Sequence, residues 1–333
     1  MQRFGQPLHG RVHETALESR VLKGIGESAR RSVLVYTPPG YDESKRYPLV
    51  LMLPAFAAGH RGVYGYNRWK PNTFERLEAQ ILAGECEPIV VAVPDPMTRF
   101  GGGQYVDSAV SGHHQSHLVE EVIPHVDAHF RTYPEGARRA AVGRSSGGFG
   151  ALRLATDRPG TIAALASHAG DALFDVTMRP MLTSAAVAYH EAGGVQPFAE
   201  RMEDKGPSSP TDFDGLIVLA CSMAYAPEAQ APYPHCEMPV DPNGALAGGW
   251  ERWLAHDPIA HIEALTKLPD LRYAFIDAGS GDEHGLQFGA KAVADALKAR
   301  GVNVFHEEHV GGHRGTSWRY EASLPAIARM LSG

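Results

Sequence analysis

The sequence predicts an α/β fold, a mostly parallel central sheet with helices on both faces. Three observations carry that prediction. Short apolar runs alternate along the chain with amphipathic segments, and no repeat of solenoid length interrupts them. Most of the runs are continuously apolar, as strands covered on both faces should be. The 333 residues are 44% hydrophobic and 21% charged, enough apolar surface to offset the entropy of ordering one large core.

In chain order, strands are expected at residues 32–36, 49–53, 89–93, 140–142, 163–167, 272–276 and 303–306. Between 115 and 130, Leu118, Val119, Val122, Ile123, Val126 and Phe130 recur at three- and four-residue steps. That spacing predicts a helix packed on the sheet, kinked or split at Pro124. A second helix, 284–299, turns Leu286, Val293 and Leu297 inward. It ends in Lys298, Arg300 and Gly301, residues suited to a helix C-terminus. Residues 171–253 break the rhythm with nine prolines and several glycines. They are expected to form an irregular cap or lid inserted into a single domain spanning 1–333, and the run 216–221 reads equally as strand or helix.

Composition excludes several classes. Thirty-one Lys and Arg against 38 Asp and Glu give a net charge of −7, so there is no general basic field for nucleic acid or anionic lipid. The most apolar stretch, 49–58, contains a proline and is about half the ~20 residues a membrane helix needs. Cys86, Cys221 and Cys236 are odd in number and none forms a C-x-x-C pair, which fits neither a disulfide framework nor a cysteine-rich zinc site. The start mixes charges from Arg3 onward without a leader-like apolar run, so a cytoplasmic location is expected. Self-association into a homo-oligomer is left open.

The chemistry is concentrated in Gly143-Arg144-Ser145-Ser146-Gly147, a G-x-S-x-G turn between an apolar strand and a helix-compatible run. Glycines two residues either side leave room for a tight elbow that lifts Ser145 above the sheet edge. The following helix places its partial positive end beneath the developing oxyanion. A serine hydroxyl needs a base, and that base needs an acid to orient it. After strand 272–276 comes Asp277-Ala-Gly-Ser-Gly-Asp282-Glu283, and after strand 303–306 comes a loop containing Gly311-Gly-His313. Ser145, Asp282 and His313 follow the order of an α/β-hydrolase. Asp277 and Glu283 are rival acids and His309 a rival base. One oxyanion donor should be the N–H of Ser146, and the other should come from the loop after Leu53.

These segments resemble the esterase family that includes esterase D, feruloyl esterases, enterochelin esterases and mycolyltransferases. The likeness runs through Val35-Tyr-Thr-Pro-Pro-Gly-Tyr41, Arg46-Tyr-Pro-Leu-Val-Leu-Met-Leu53, Gln104-Tyr-Val-Asp-Ser108, the elbow, the Asp282 loop and the His313 loop, but is poor across 171–253. It implies an ester hydrolase without cofactor or metal, acting on a small-molecule ester through Ser145, Asp282 and His313. Where that family commonly has His-Gly-X, this chain has Pro54-Ala55-Phe56, so Phe56 is the expected second donor on a loop whose path Ala55 restricts. The resemblance also brings Arg99, Tyr105 and Ser108 near the site, which suggests a polar or sugar-bearing ester. His168 ends a strand at the same edge. Trp250 and Trp253, with Tyr225 and Tyr233, either line an acyl pocket or stabilise the lid.

Other readings compete. His117, Glu121, His125 and His129 recur at four-residue steps on one helix, a spacing that suits a zinc hydrolase or, more simply, a solvated face. A binding protein that retains the fold without turnover is a third reading. Acyl transfer to an alcohol, through the same acyl-enzyme, is a fourth.

Overall fold

The computed structural model describes residues 8–22, 27–65, 67 and 69–333. The expectation about the charged start from Arg3 therefore lies largely outside the described residues. Eight strands form the main sheet: β1 (Arg11–Glu18), β2 (Arg30–Thr37), β3 (Leu49–Leu53), β4 (Val90–Pro94), β5 (Arg139–Arg144), β6 (Ala164–His168), β7 (Tyr273–Gly279) and β8 (Asn303–His309). Their order is β1-β2-β4-β3-β5-β6-β7-β8. β2 pairs antiparallel with both neighbours, and from β4 to β8 every pairing is parallel. The sheet is thus mostly parallel, with the α/β-hydrolase order of strands.

Strand positions follow from burial. Every residue of β3 and β4 is buried, so each strand reads as an unbroken apolar run. Leu49, Leu51 and Leu53 face one side, with helices 114–129, Ser146–Asp157 and Leu286–Ala299. Val50 and Met52 face the other, with Thr73–Leu82 and Tyr320–Ser332. β1 carries no such run. It lies at the sheet edge with a largely exposed, polar sequence, and pairing with β2 rather than burial makes it a strand.

Two expectations are corrected here. The helix over 114–129 does not break at Pro124. It passes through a wide π turn, His117–Val122, and Pro124 opens the α-helical stretch that follows, where its missing N–H costs little. Nor is 171–253 irregular throughout. It contains helices Phe174–Thr177, Met181–Ala192, Val195–Lys205, Pro210–Tyr225 and Gly249–Leu254, and the ambiguous run 216–221 lies inside the fourth. Several of its prolines start helices instead of breaking them. Pro180 caps the second, and Pro210 opens the fourth behind Ser209, whose hydroxyl accepts the Asp212 N–H at 3.0 Å. Only the proline-dense stretch 226–248 is without helix.

These cap helices share a separate apolar cluster that includes Phe198, Leu219, Tyr225, Trp250 and Trp253. The cap follows β6 directly, so it stands over the C-terminal ends of the strands. Among the described residues, no helix is long and apolar enough to cross a membrane.

Candidate active site

β5 ends at Arg144, and Ser145 follows in a left-handed conformation (φ 54°, ψ −126°) immediately before helix Ser146–Asp157. Only glycines fit around it. A Cβ on Gly143 would lie 2.2 Å from the Gly147 carbonyl carbon, and one on Gly147 would lie 1.9 Å from the Leu53 carbonyl oxygen. The strain at Ser145 is held by its N–H, which donates to the His168 carbonyl at 2.9 Å.

The structure brings Ser145, Asp282 and His313 together from the ends of three strands. His313 Nε2 lies 3.2 Å from Ser145 Oγ, and His313 Nδ1 lies 3.0 Å from Asp282 Oδ2. With the ring proton on Nδ1, Asp282 accepts it and Nε2 is free to accept from the serine hydroxyl. The other oxygen of Asp282 accepts the His284 N–H at 2.9 Å. Burial pushes the Asp282 carboxyl up, but the hydrogen bond and charge of His313 and the N–H groups of His284 and Leu286 outweigh it and leave it below the usual range. It is therefore an ionised acceptor at neutral pH.

The rivals have other work. Glu283 accepts the main-chain N–H of His313 at 2.8 Å, while Arg144 donates to the His313 carbonyl at 3.0 Å, so the histidine loop is clamped from both sides. His309 ends β8 and packs its ring against Trp318. Asp277 is fully buried, paired with Arg319 at 2.5 Å and with His168 Nδ1 at 2.7 Å. Because His168 Nε2 also lies 2.9 Å from Ser323 Oγ, these residues form a second serine–histidine–carboxylate chain. That chain is sealed in the core, where no ester can reach it.

A cavity of about 580 Å³ opens over Ser145. Phe56, Met178, Met181, Phe213, Ile217 and Leu286 give it an apolar wall, and Asp171, Arg144, His284 and Arg314 supply charged or polar groups. Ser146 and Phe56 both line it. The Ser146 N–H belongs to a first helical turn, where such groups have no intrahelical partner. The Phe56 loop takes its left-handed turn at Ala57 (φ 56°), so Ala55 is not forced into a conformation that only glycine enters readily.

The structure does not bring Arg99, Tyr105, Ser108, His168, Trp250 or Trp253 into this cavity. Arg99 pairs with Glu203 at 2.6 Å. Tyr105 is buried beneath the loop that carries Phe56, donating from its hydroxyl to the Pro54 carbonyl at 2.7 Å. The Ser108 hydroxyl donates to the Met223 carbonyl at 2.6 Å and stitches the cap to the body. Trp250 and Trp253 pack in the cap core, where Trp253 meets Tyr225 edge-on. Aromatics with apolar neighbours on helices packed this tightly belong to the core those helices share. The residues missed were Met181, Phe213 and Ile217 on cap helices, Met178 in the turn after the first of them, and Asp171. A detectable signal existed for Asp171, which follows a strand at the same sheet edge as the elbow.

The four-step stripe is not the solvated face expected for it: His117 is buried with Nδ1 2.7 Å from Glu121, and His125 Nε2 reaches the Thr15 hydroxyl of β1 at 3.0 Å, because this part of the helix packs under the N-terminal segment. Among the described residues, no group of three or more His, Cys, Asp or Glu side chains is arranged to hold a metal ion.

Comparison with known proteins agrees with this architecture. Residues 28–330 match the family described as "Putative esterase". An esterase of Mycobacterium tuberculosis is 36% identical over 101 residues, covering 30% of this chain and 22% of the relative. Endo-1,4-beta-xylanase Y of Acetivibrio thermocellus is 26% identical over 136 residues, covering 39% of this chain and 12% of that protein. The matched segments thus span about a fifth or less of these relatives' own length. Among solved structures, a ferulic acid esterase superposes with a TM-score of 0.63 at 15% identity, covering 97% of this chain and 100% of that one. An S-formylglutathione hydrolase from Agrobacterium tumefaciens gives 0.61 at 17% identity, covering 98% of each.

Proposed function

The chain belongs to the Putative esterase family, and from that premise we propose that it hydrolyses a small-molecule carboxylic ester through an acyl-enzyme on Ser145. The observation that carries this reading is the unbroken hydrogen-bond chain Ser145–His313–Asp282 opening into a cavity.

In the proposed mechanism His313 Nε2 takes the hydroxyl proton as Ser145 Oγ attacks the ester carbonyl. Asp282 stabilises the imidazolium that forms, and the main-chain N–H groups of Ser146 and Phe56 receive the oxyanion. His313 returns the proton to the departing alcohol, leaving the acyl group on Ser145. A water, deprotonated by the same imidazole, then attacks the acyl carbonyl and releases the acid. The apolar wall of the cavity suits an acyl chain better than a sugar, while Arg99, Tyr105 and Ser108, on which the polar-ester expectation was built, lie outside it. The three cysteines are free, two of them buried, which supports a reducing compartment such as the cytoplasm.

Ser145→Ala tests the reading. Turnover of an activated short-chain ester should fall by on the order of a thousandfold or more. Wild-type rates in that variant would overturn it.

A further inference from the structure

Asp171 is the carboxyl of this site whose hydrogen bonding is incomplete. It is buried, lines the cavity, and among the described residues receives one long hydrogen bond, from the Ser146 hydroxyl at 3.3 Å. Asp282 and Asp277, its nearest counterparts at this sheet edge, are each held by two or more partners. A carboxyl left this way in an apolar cavity costs stability unless something that binds there completes it. Its location says where that something must be. Asp171 touches the side chain of the residue whose main-chain N–H faces the carbonyl oxygen in the proposed mechanism, so a group reaching it lies close to the reacting carbon.

The remaining charges define the chemistry. Arg144, Arg314 and His284 line the same cavity, which disfavours a cationic substrate and leaves a neutral donor as the fitting partner. Resting on the esterase reading, we propose that Asp171 is a specificity-determining residue that accepts a hydrogen bond from a hydroxyl group on the acyl part of the substrate, near its carbonyl. Burial pushes the Asp171 carboxyl up to about 6, against the smaller lowering effects of His313 and Ser146. Ionised or protonated, it retains an oxygen that can accept. An ester without the hydroxyl leaves that oxygen unpaired, and a site built for a polar group rejects such analogues strongly.

The test compares naphthyl butanoate with naphthyl 2-hydroxybutanoate and 3-hydroxybutanoate on the full chain. The readout is the ratio of kcat/KM for the better hydroxyl ester to that for butanoate. Wild type should favour the hydroxyl ester by about 10- to 100-fold, the range of a hydrogen bond to a charged group. Asp171→Leu should bring the ratio close to one, and Asp171→Asn, which keeps one acceptor oxygen and the shape, should give an intermediate ratio should the leucine variant not fold. A wild-type ratio near one, or an unchanged ratio in the folded variants, overturns the proposal. Ser145→Ala separates the two failures: if it abolishes turnover of all three esters while the wild-type ratio is one, only the Asp171 assignment falls. If it leaves turnover intact, the esterase reading falls with it.

Discussion

Replacing Asp171 by asparagine removes a buried ionisable group while keeping its shape, so the change in stability can be worked out against pH. An unfolded chain releases this proton at an ordinary carboxyl value of 3.8, whereas in the fold burial holds it until about 6. The folded state therefore binds the proton more tightly. Its stabilising contribution is fully present below the unfolded value and is lost as pH rises through about 6. A shift of about two units corresponds to about 3 kcal/mol. Asparagine does not titrate. The stability of Asp171→Asn relative to wild type should thus rise by about 2.5 kcal/mol between pH 4 and pH 7.5. The groups facing Asp171 are His313, Asp282, Cys221 and Tyr225, all present in both proteins, and of these its nearest charged neighbours are His313 and Asp282. Urea unfolding of both proteins at several pH values measures it. A difference that stays constant with pH, or that shrinks as pH rises, would show that the Asp171 carboxyl is not held protonated by burial.

Two further substitutions test the elbow and its surroundings. Gly147→Ala forces a methyl group onto the Leu53 carbonyl, 1.9 Å away, and should destabilise the fold by about 3 kcal/mol. A thermal midpoint equal to wild type would show that the elbow is looser than the geometry states. Tyr105→Phe deletes the hydrogen bond to Pro54 and frees the loop that carries Phe56. It should lower kcat by about tenfold with little change in KM, because a displaced oxyanion donor acts on the transition state more than on substrate binding. Parallel rises in KM at constant kcat would assign Tyr105 to binding instead.

The parts of the fold legible in the sequence are those whose burial leaves a one-dimensional trace. β3 to β7 read as apolar runs because both faces are covered, and Ser145, Asp282 and His313 stand in loops that strand order alone brings to one edge. β1 left no trace because an exposed edge strand needs no apolar face. The cap was misread because prolines that begin helices look, in a count of breakers, like prolines that end them. Substrate-facing residues were the hardest to locate. Trp253 and Phe213 are both aromatic residues of the cap, and only packing decides that Trp253 fills the cap core while Phe213 meets Phe56 across the cavity at 5.8 Å. Tyr105 and His168 illustrate the same difficulty: each lies close to the site in sequence terms, yet one props a loop from below and the other is sealed in a buried network.

Rapid acid quenching of the protein during turnover of an activated ester, followed by mass measurement of its peptides, shows whether Ser145 carries the acyl group. The peptide containing Ser145 should gain the mass of one acyl group at the rate of the first product burst, and the gain should be lost in Ser145→Ala. Acyl mass on another residue, or steady turnover with no acylated peptide at any time, would contradict an acyl-enzyme on Ser145.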